Sequence, residues 1–94
     1  MPEITVASSE TAEGWVFDVR VSEDGKETKH QVWLTRAHHD RLASSAQPEE
    51  LVRASFEFLL QREPKESILN SFELTEISRY FPNYEKEVRW LIRR

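Results

Sequence analysis

The stretch Glu50-Leu-Val-Arg-Ala-Ser-Phe-Glu-Phe-Leu-Leu-Gln-Arg62 decides how this chain folds. Wound as a helix, it spreads Leu51, Val52, Ala54, Phe56, Phe58, Leu59 and Leu60 over an arc of about 240°. A narrow polar stripe of Glu50, Arg53, Glu57 and Gln61 remains, spaced three or four positions apart. A helix with so wide an apolar arc must be contacted from two or more sides, which makes it the centre of a core. Its two Phe are packing residues. Ser55 lies inside the arc and is expected to bond back to the carbonyl of Leu51.

Toward the N-terminus the period changes from 3.6 to 2. Trp15, Phe17, Val19 and Val21 point one way, and Val16, Asp18 and Arg20 the other. Asp24-Gly25 then reads as a two-residue hairpin turn, because both central positions of a type I′ turn need positive φ. Counting outward from that turn fixes the register. Val21 faces Thr28, Val19 faces His30, Phe17 faces Val32 and Trp15 faces Leu34 on the face to be buried. On the opposite face Arg20 meets Lys29, Asp18 meets Gln31, and Val16 meets Trp33. The last pair is an apolar cross-strand contact on the side left to solvent. Further upstream, Ile4 and Val6 alternate with Thr5 and Ala7 in a short strand over Glu3 to Ser8, and Ser9 to Gly14 reads as a loop.

Downstream, Thr35 is placed to cap a short helix from Arg36 that carries Leu42 inward. Residues 43–47 form a linker, and Pro48 opens the central helix where its missing N–H costs nothing. Pro64 ends that helix and starts a short one through Asn70. Thr75 caps a helix bearing Leu74, Ile77 and Phe81. Pro82-Asn83 breaks it, and a last helix runs from Tyr84 to Arg93 with Tyr84, Val88 and Leu91 on one face and Trp90 off it. The expected fold is α+β, a single domain over 1–94. Residues 1–35 form an antiparallel meander of two or three strands, and residues 36–94 supply three to four helices packed on one face.

Composition narrows the function. Ninety-four residues suffice for one core but not two. Aromatic residues at 11% argue for a folded domain despite 32% charged ones. The chain has no cysteine, which excludes disulfides, thiolate metal sites and a Cys nucleophile. Neither a signal-peptide core nor a membrane-spanning apolar run is present, so a cytoplasmic location is expected. The net charge of -4 is unevenly placed. The first 35 residues hold seven acids and three bases, whereas residues 83–94 hold two acids and four bases. An acidic domain receives no general electrostatic help in approaching phosphates. The terminal arginines have a structural reading, as complements to a helix dipole.

Little in the chain carries chemistry. His38 and His39 are sequence neighbours and point about 100° apart on a helix, so they cannot chelate one metal without further ligands from His30 or a carboxylate. Ser8, Ser9, Ser44 and Ser45 lie in loops with no base at recognisable spacing. With Gly14 and Gly25 as its only glycines, the chain has no phosphate-cradling loop. No catalytic residue, metal site or cofactor is expected.

Two resemblances extend this reading. His30 to Arg62, with its Val-Trp-Leu-Thr strand and Glu-Glu-Leu-Val-Arg-Ala-Ser-Phe-Glu-Phe-Leu helix, resembles a ribbon-helix-helix repressor segment. That family reads DNA as a dimer through outward side chains of a paired strand, which here would be Lys29, Gln31 and Trp33. The chain departs from the pattern in its short first helix and linker, its intrachain strand partner, and Asp18 on the outward face. Phe-Glu-Phe-Leu-Leu-Gln-Arg-Glu-Pro-Lys-Glu-Ser-Ile-Leu followed by Ile-Ser-Arg-Tyr-Phe-Pro-Asn-Tyr-Glu-Lys-Glu is similar to a group of small bacterial proteins of unknown function. This second resemblance covers about residues 50–88 and implies a bacterial cytoplasmic protein, with no activity attached.

The sequence therefore points to a small non-enzymatic interaction or regulatory module. Its contact surface is expected at Val16 and Trp33, flanked by Gln31 and Lys29, with a protein partner or a second copy as occupant. A competing expectation is that the last helix folds over this face through Trp90 and buries the pair. The alternative function is nucleic-acid binding, through the ribbon face or through Thr75 to Arg94 as a helix-turn-helix.

Overall fold

A computed structural model describes residues 2–93. Strands β1 (Glu3–Glu10), β2 (Gly14–Glu23) and β3 (Lys26–Thr35) form the antiparallel meander. The hairpin turns at Asp24 and Gly25, whose φ values of 54° and 77° lie in the left-handed region that a type I′ turn requires. The register between β2 and β3 is the one counted from that turn, including Val19 opposite His30 and Val16 opposite Trp33. β1 is longer than its alternation suggested and reaches Glu10, which tightens the expected loop to residues 11–13. Gly14 belongs to the sheet. A β-carbon there would sit 2.1 Å from the carbonyl oxygen of Leu34, so the close approach of the two backbones requires glycine.

The helices follow. The first, α1 (Arg36–Ala43), is capped by Thr35, whose hydroxyl accepts from the His38 N–H at 3.2 Å. α2 (Pro48–Leu60) has Pro48 in its first turn, and the Glu50 carboxylate reaches back to the Gln47 N–H. Beyond Pro64 the expected helix shrinks to a single 3-10 turn over Lys65–Ser67, after which the chain becomes strand β4 (Ser71–Glu73). β4 pairs in parallel with β3, Phe72 opposite Val32, and the sheet order is β1-β2-β3-β4. A second 3-10 turn (Leu74–Glu76) is capped by Glu73 rather than Thr75 and leads into the short α3 (Ile77–Tyr80). α4 (Tyr84–Arg93) ends the described chain. Among the described residues no helix is long and apolar enough to cross a membrane.

The core lies between the inner sheet face and the helices. Phe17, Val19, Val21, Val32 and Leu34 are buried from the sheet side, and Leu51, Val52, Phe56, Phe58 and Leu59 from α2. Phe56 packs against His30 and Phe72, whereas Phe58 meets Tyr84 and Phe81 edge-on. One face of α2 thus holds the sheet and another the C-terminal helices, as its wide arc requires. Phe56→Ala is expected to lose about 3–5 kcal/mol in urea unfolding. An unchanged midpoint would place the ring outside the core. Gly14→Ala should cost about 1–3 kcal/mol by driving β2 and β3 apart. Unaltered stability in that variant would show that the strands can separate freely there.

Candidate interaction surface

Alternation along the three long strands gives the sheet a second face with a different composition. Pairing aligns Thr5 with Arg20, Ala7 with Asp18, and Ser9 with Val16, and continues into Lys29, Gln31 and Trp33. Ser71 and Glu73 of β4 extend the same rows beside Gln31 and Trp33. Residues of the opposite parity, from Phe17 to Leu34, are buried, while Thr5, Ala7, Asp18, Arg20, Lys29 and Gln31 are exposed. The outward side chains form a shallow hollow of about 450 Å³ walled by Thr5, Ala7, Asp18, Arg20, Lys29 and Gln31.

Trp33 is 39% exposed, and Val16 beside it is half-buried. Trp90 does not fold over them: it is itself 66% exposed on α4, which packs against α2, α1 and α3. The structure therefore brings Val16, Trp33, Gln31 and Lys29 onto one face and leaves that face uncovered. Two neighbours escaped the sequence. Ser9 reaches the face because β1 is longer than its apolar alternation. Glu73 reaches it because a three-residue parallel strand has no pattern of its own.

Elsewhere the polar side chains with chemical potential are committed to holding segments together. His30 is buried, with Nδ1 donating to the Leu69 carbonyl and Nε2 hydrogen-bonded to the Thr28 hydroxyl, both at 2.8 Å. His38 Nδ1 donates to Glu73, whose other oxygen accepts from the Thr75 backbone N–H and hydroxyl. His39 Nε2 donates to the Ala46 carbonyl at 2.7 Å, and its ring stands edge-on to Trp15. The three imidazoles thus face three different partners. Among the described residues no group of three or more His, Cys, Asp or Glu is arranged to hold a metal ion.

Ser55 bonds the Leu51 carbonyl at 2.7 Å, as expected, and also lies 2.6 Å from the Tyr84 hydroxyl. The serine proton goes to the carbonyl, so the phenol donates to Ser55 Oγ. Both residues are fully buried.

Burial raises the Tyr84 pKa far above its ordinary value of 10, an effect that the Ser55 hydrogen bond only partly opposes. Glu85 is held below the usual carboxylate range, chiefly by its hydrogen bond to Arg41. The tyrosine shift sets the sign of an alkaline effect. Below pH 10 the phenol is neutral in folded and unfolded chains alike, and its contribution to stability is present in full. At higher pH the unfolded chain ionises while the buried phenol keeps its proton, and stability falls. Tyr84→Phe should therefore show a shallower loss of urea midpoint above about pH 10 than the wild type, after a loss of about 1 kcal/mol at neutral pH. Identical alkaline slopes would mean that the phenol is accessible to water. No protein-family model, curated protein or solved structure matches this chain.

Proposed function

We propose that this chain is a small non-enzymatic interaction module that binds another protein through the outer face of its meander, with Trp33 as the anchor. The observation that carries this reading is the exposure of Trp33 on a sheet face that no helix covers. Isolated exposed apolar residues are ordinary, but a cross-strand pair that includes Trp forms a concentrated patch. Around it Gln31, Lys29, Asp18 and Arg20 supply a polar rim. Trp is among the side chains most enriched at interface hot spots, which such a rim surrounds.

Nucleic-acid binding fits the same residues less well. The ribbon face sets Asp18 among Arg20 and Lys29, and Glu73 lies beside Trp33 in the adjoining strand. α3 has four residues, too short to serve as the first helix of a helix-turn-helix. No saturable DNA complex is expected near physiological salt. A gel shift that weakens steeply with added salt and disappears in Lys29→Ala would reverse this assignment.

The direct test substitutes the anchor. Trp33→Arg should shift the melting temperature by less than about 3 °C, as befits a surface residue. The same variant, used as bait beside the wild type, should lose the protein partner that the wild type retains. If Trp33→Arg keeps every partner, the outer face is not the contact surface. If it unfolds, the pair is core.

A further inference from the structure

Between the end of α2 and α3, the chain carries an open apolar groove of about 290 Å³. Leu59, Ile68, Leu69, Phe72, Ile77 and Tyr80 line it, and the carboxylates of Glu63 and Glu76 are the charged groups in its wall. Two of the exposed large hydrophobic residues, Leu69 at 48% and Tyr80 at 67%, belong to this groove. Another is Trp90, 66% exposed on α4. Trp90 follows Lys86 by four positions and precedes Arg93 by three, so the three share one helical stripe, with Glu87 beside them. That stripe is solvent-exposed, whereas Tyr84 and Val88 turn inward.

We infer that the groove is the seat for α4 of a second copy, with Trp90 inserted between Leu69 and Tyr80 and with Lys86 and Arg93 facing Glu63 and Glu76. The two halves are complementary in kind. One is a concave apolar site with acidic walls, and the other is a convex indole with Lys86 and Arg93 on its stripe and Glu87 beside it. The groove's walls carry two acids and no base, so a basic occupant is favoured over an acidic one. An indole has the bulk to displace the water that exposed Leu and Tyr side chains hold in such a groove. Both halves lie on every chain, so each copy can give and receive the contact. The two patches differ, so the contact is heterologous and copies add head to tail. It uses neither Val16 nor Trp33 and leaves the outer sheet face of each copy open.

The test reads solution mass by sedimentation equilibrium from about 10 µM to about 1 mM, the range in which a small interface registers. Wild type should self-associate. Trp90→Ala and Tyr80→Arg should each weaken self-association by about tenfold or more. Both residues are two-thirds exposed, so both variants should keep the fold, checked by unchanged melting. The decisive measurement is a mixture of the two variants. Tyr80→Arg still offers an intact Trp90, and Trp90→Ala an intact groove, so the mixture should form a one-to-one complex tighter than either variant's self-association. A monomeric wild type, or a mixture that stays monomeric, overturns the proposal. Loss of self-association in Trp33→Arg with its retention in Trp90→Ala would also overturn it and assign the contact to the outer sheet.

Discussion

The rest of this structure depends on the burial of α2 from two directions. An amphipathic helix on a sheet needs one apolar stripe, and the opposite side then faces water. Here the arc is too wide for that, and the chain must supply a second layer. Phe56 meets the sheet side through His30 and Phe72, while Phe58 meets Tyr84 and Phe81 from the C-terminal segments. Each ring pair adds geometry to area burial, and the Ser55–Tyr84 hydrogen bond fixes how α4 sits along α2. Because the helices gather around α2, none remains for the far face of the sheet. The uncovered Trp33 follows from the same constraint.

A second theme is where the cationic and imidazole side chains go. Arg89 donates to the carbonyls of Leu42 and Arg41 at the end of α1, and Arg62 to that of Phe58 near the end of α2. Arg53 reaches the Ile4 carbonyl in β1, and Arg36 the Ala12 carbonyl between β1 and β2. His30 and His39 do the same for Leu69 and Ala46. Carbonyls at segment ends have no partner inside their own element, and a buried one left unpaired would cost about 1–3 kcal/mol. Among the described residues no buried side-chain nitrogen or oxygen lacks a partner. The terminal arginines were expected to complement the end of their own helix; Arg89 instead donates to the carbonyls that end α1.

How much of this was legible follows from the range of each interaction. The hairpin register could be counted because a positive-φ turn and a period of two are local and leave no freedom. The centre of the core could be read because the 51–60 arc is encoded within three turns. β4 could not, since three residues in parallel pairing derive their geometry from β3, forty positions away. The same reason hid Glu73, which caps the turn before α3 and holds His38 while standing next to Trp33. On the candidate surface Val16, Trp33, Gln31 and Lys29 came from register. Whether a helix would cover them depended on where Trp90 pointed, which no local pattern could decide. The apolar groove was out of reach for a further reason: its wall is assembled from α2, both 3-10 segments, β4 and α3.

The parallel pairing of β4 has a consequence for the order in which the molecule assembles and opens. The β2–β3 hairpin closes over two residues, and such contacts form early and with little loss of chain entropy. β4 must wait until α1 and α2 have brought residues 71–73 back to β3, and it then adds only a short run of bonds, begun by the Gln31 N–H to the Asn70 carbonyl at 2.7 Å. A short strand at a sheet edge has few ladder bonds to lose, although Phe72 anchors this one in the core. Its release needs no disruption of the hairpin, so the Gln31 amide should exchange with solvent deuterium sooner than amides paired between β2 and β3. Equal protection would make the four strands one cooperative unit. Segment 68–72 also forms one wall of the apolar groove, so the shape of that wall rests on the same short run of β3–β4 bonds.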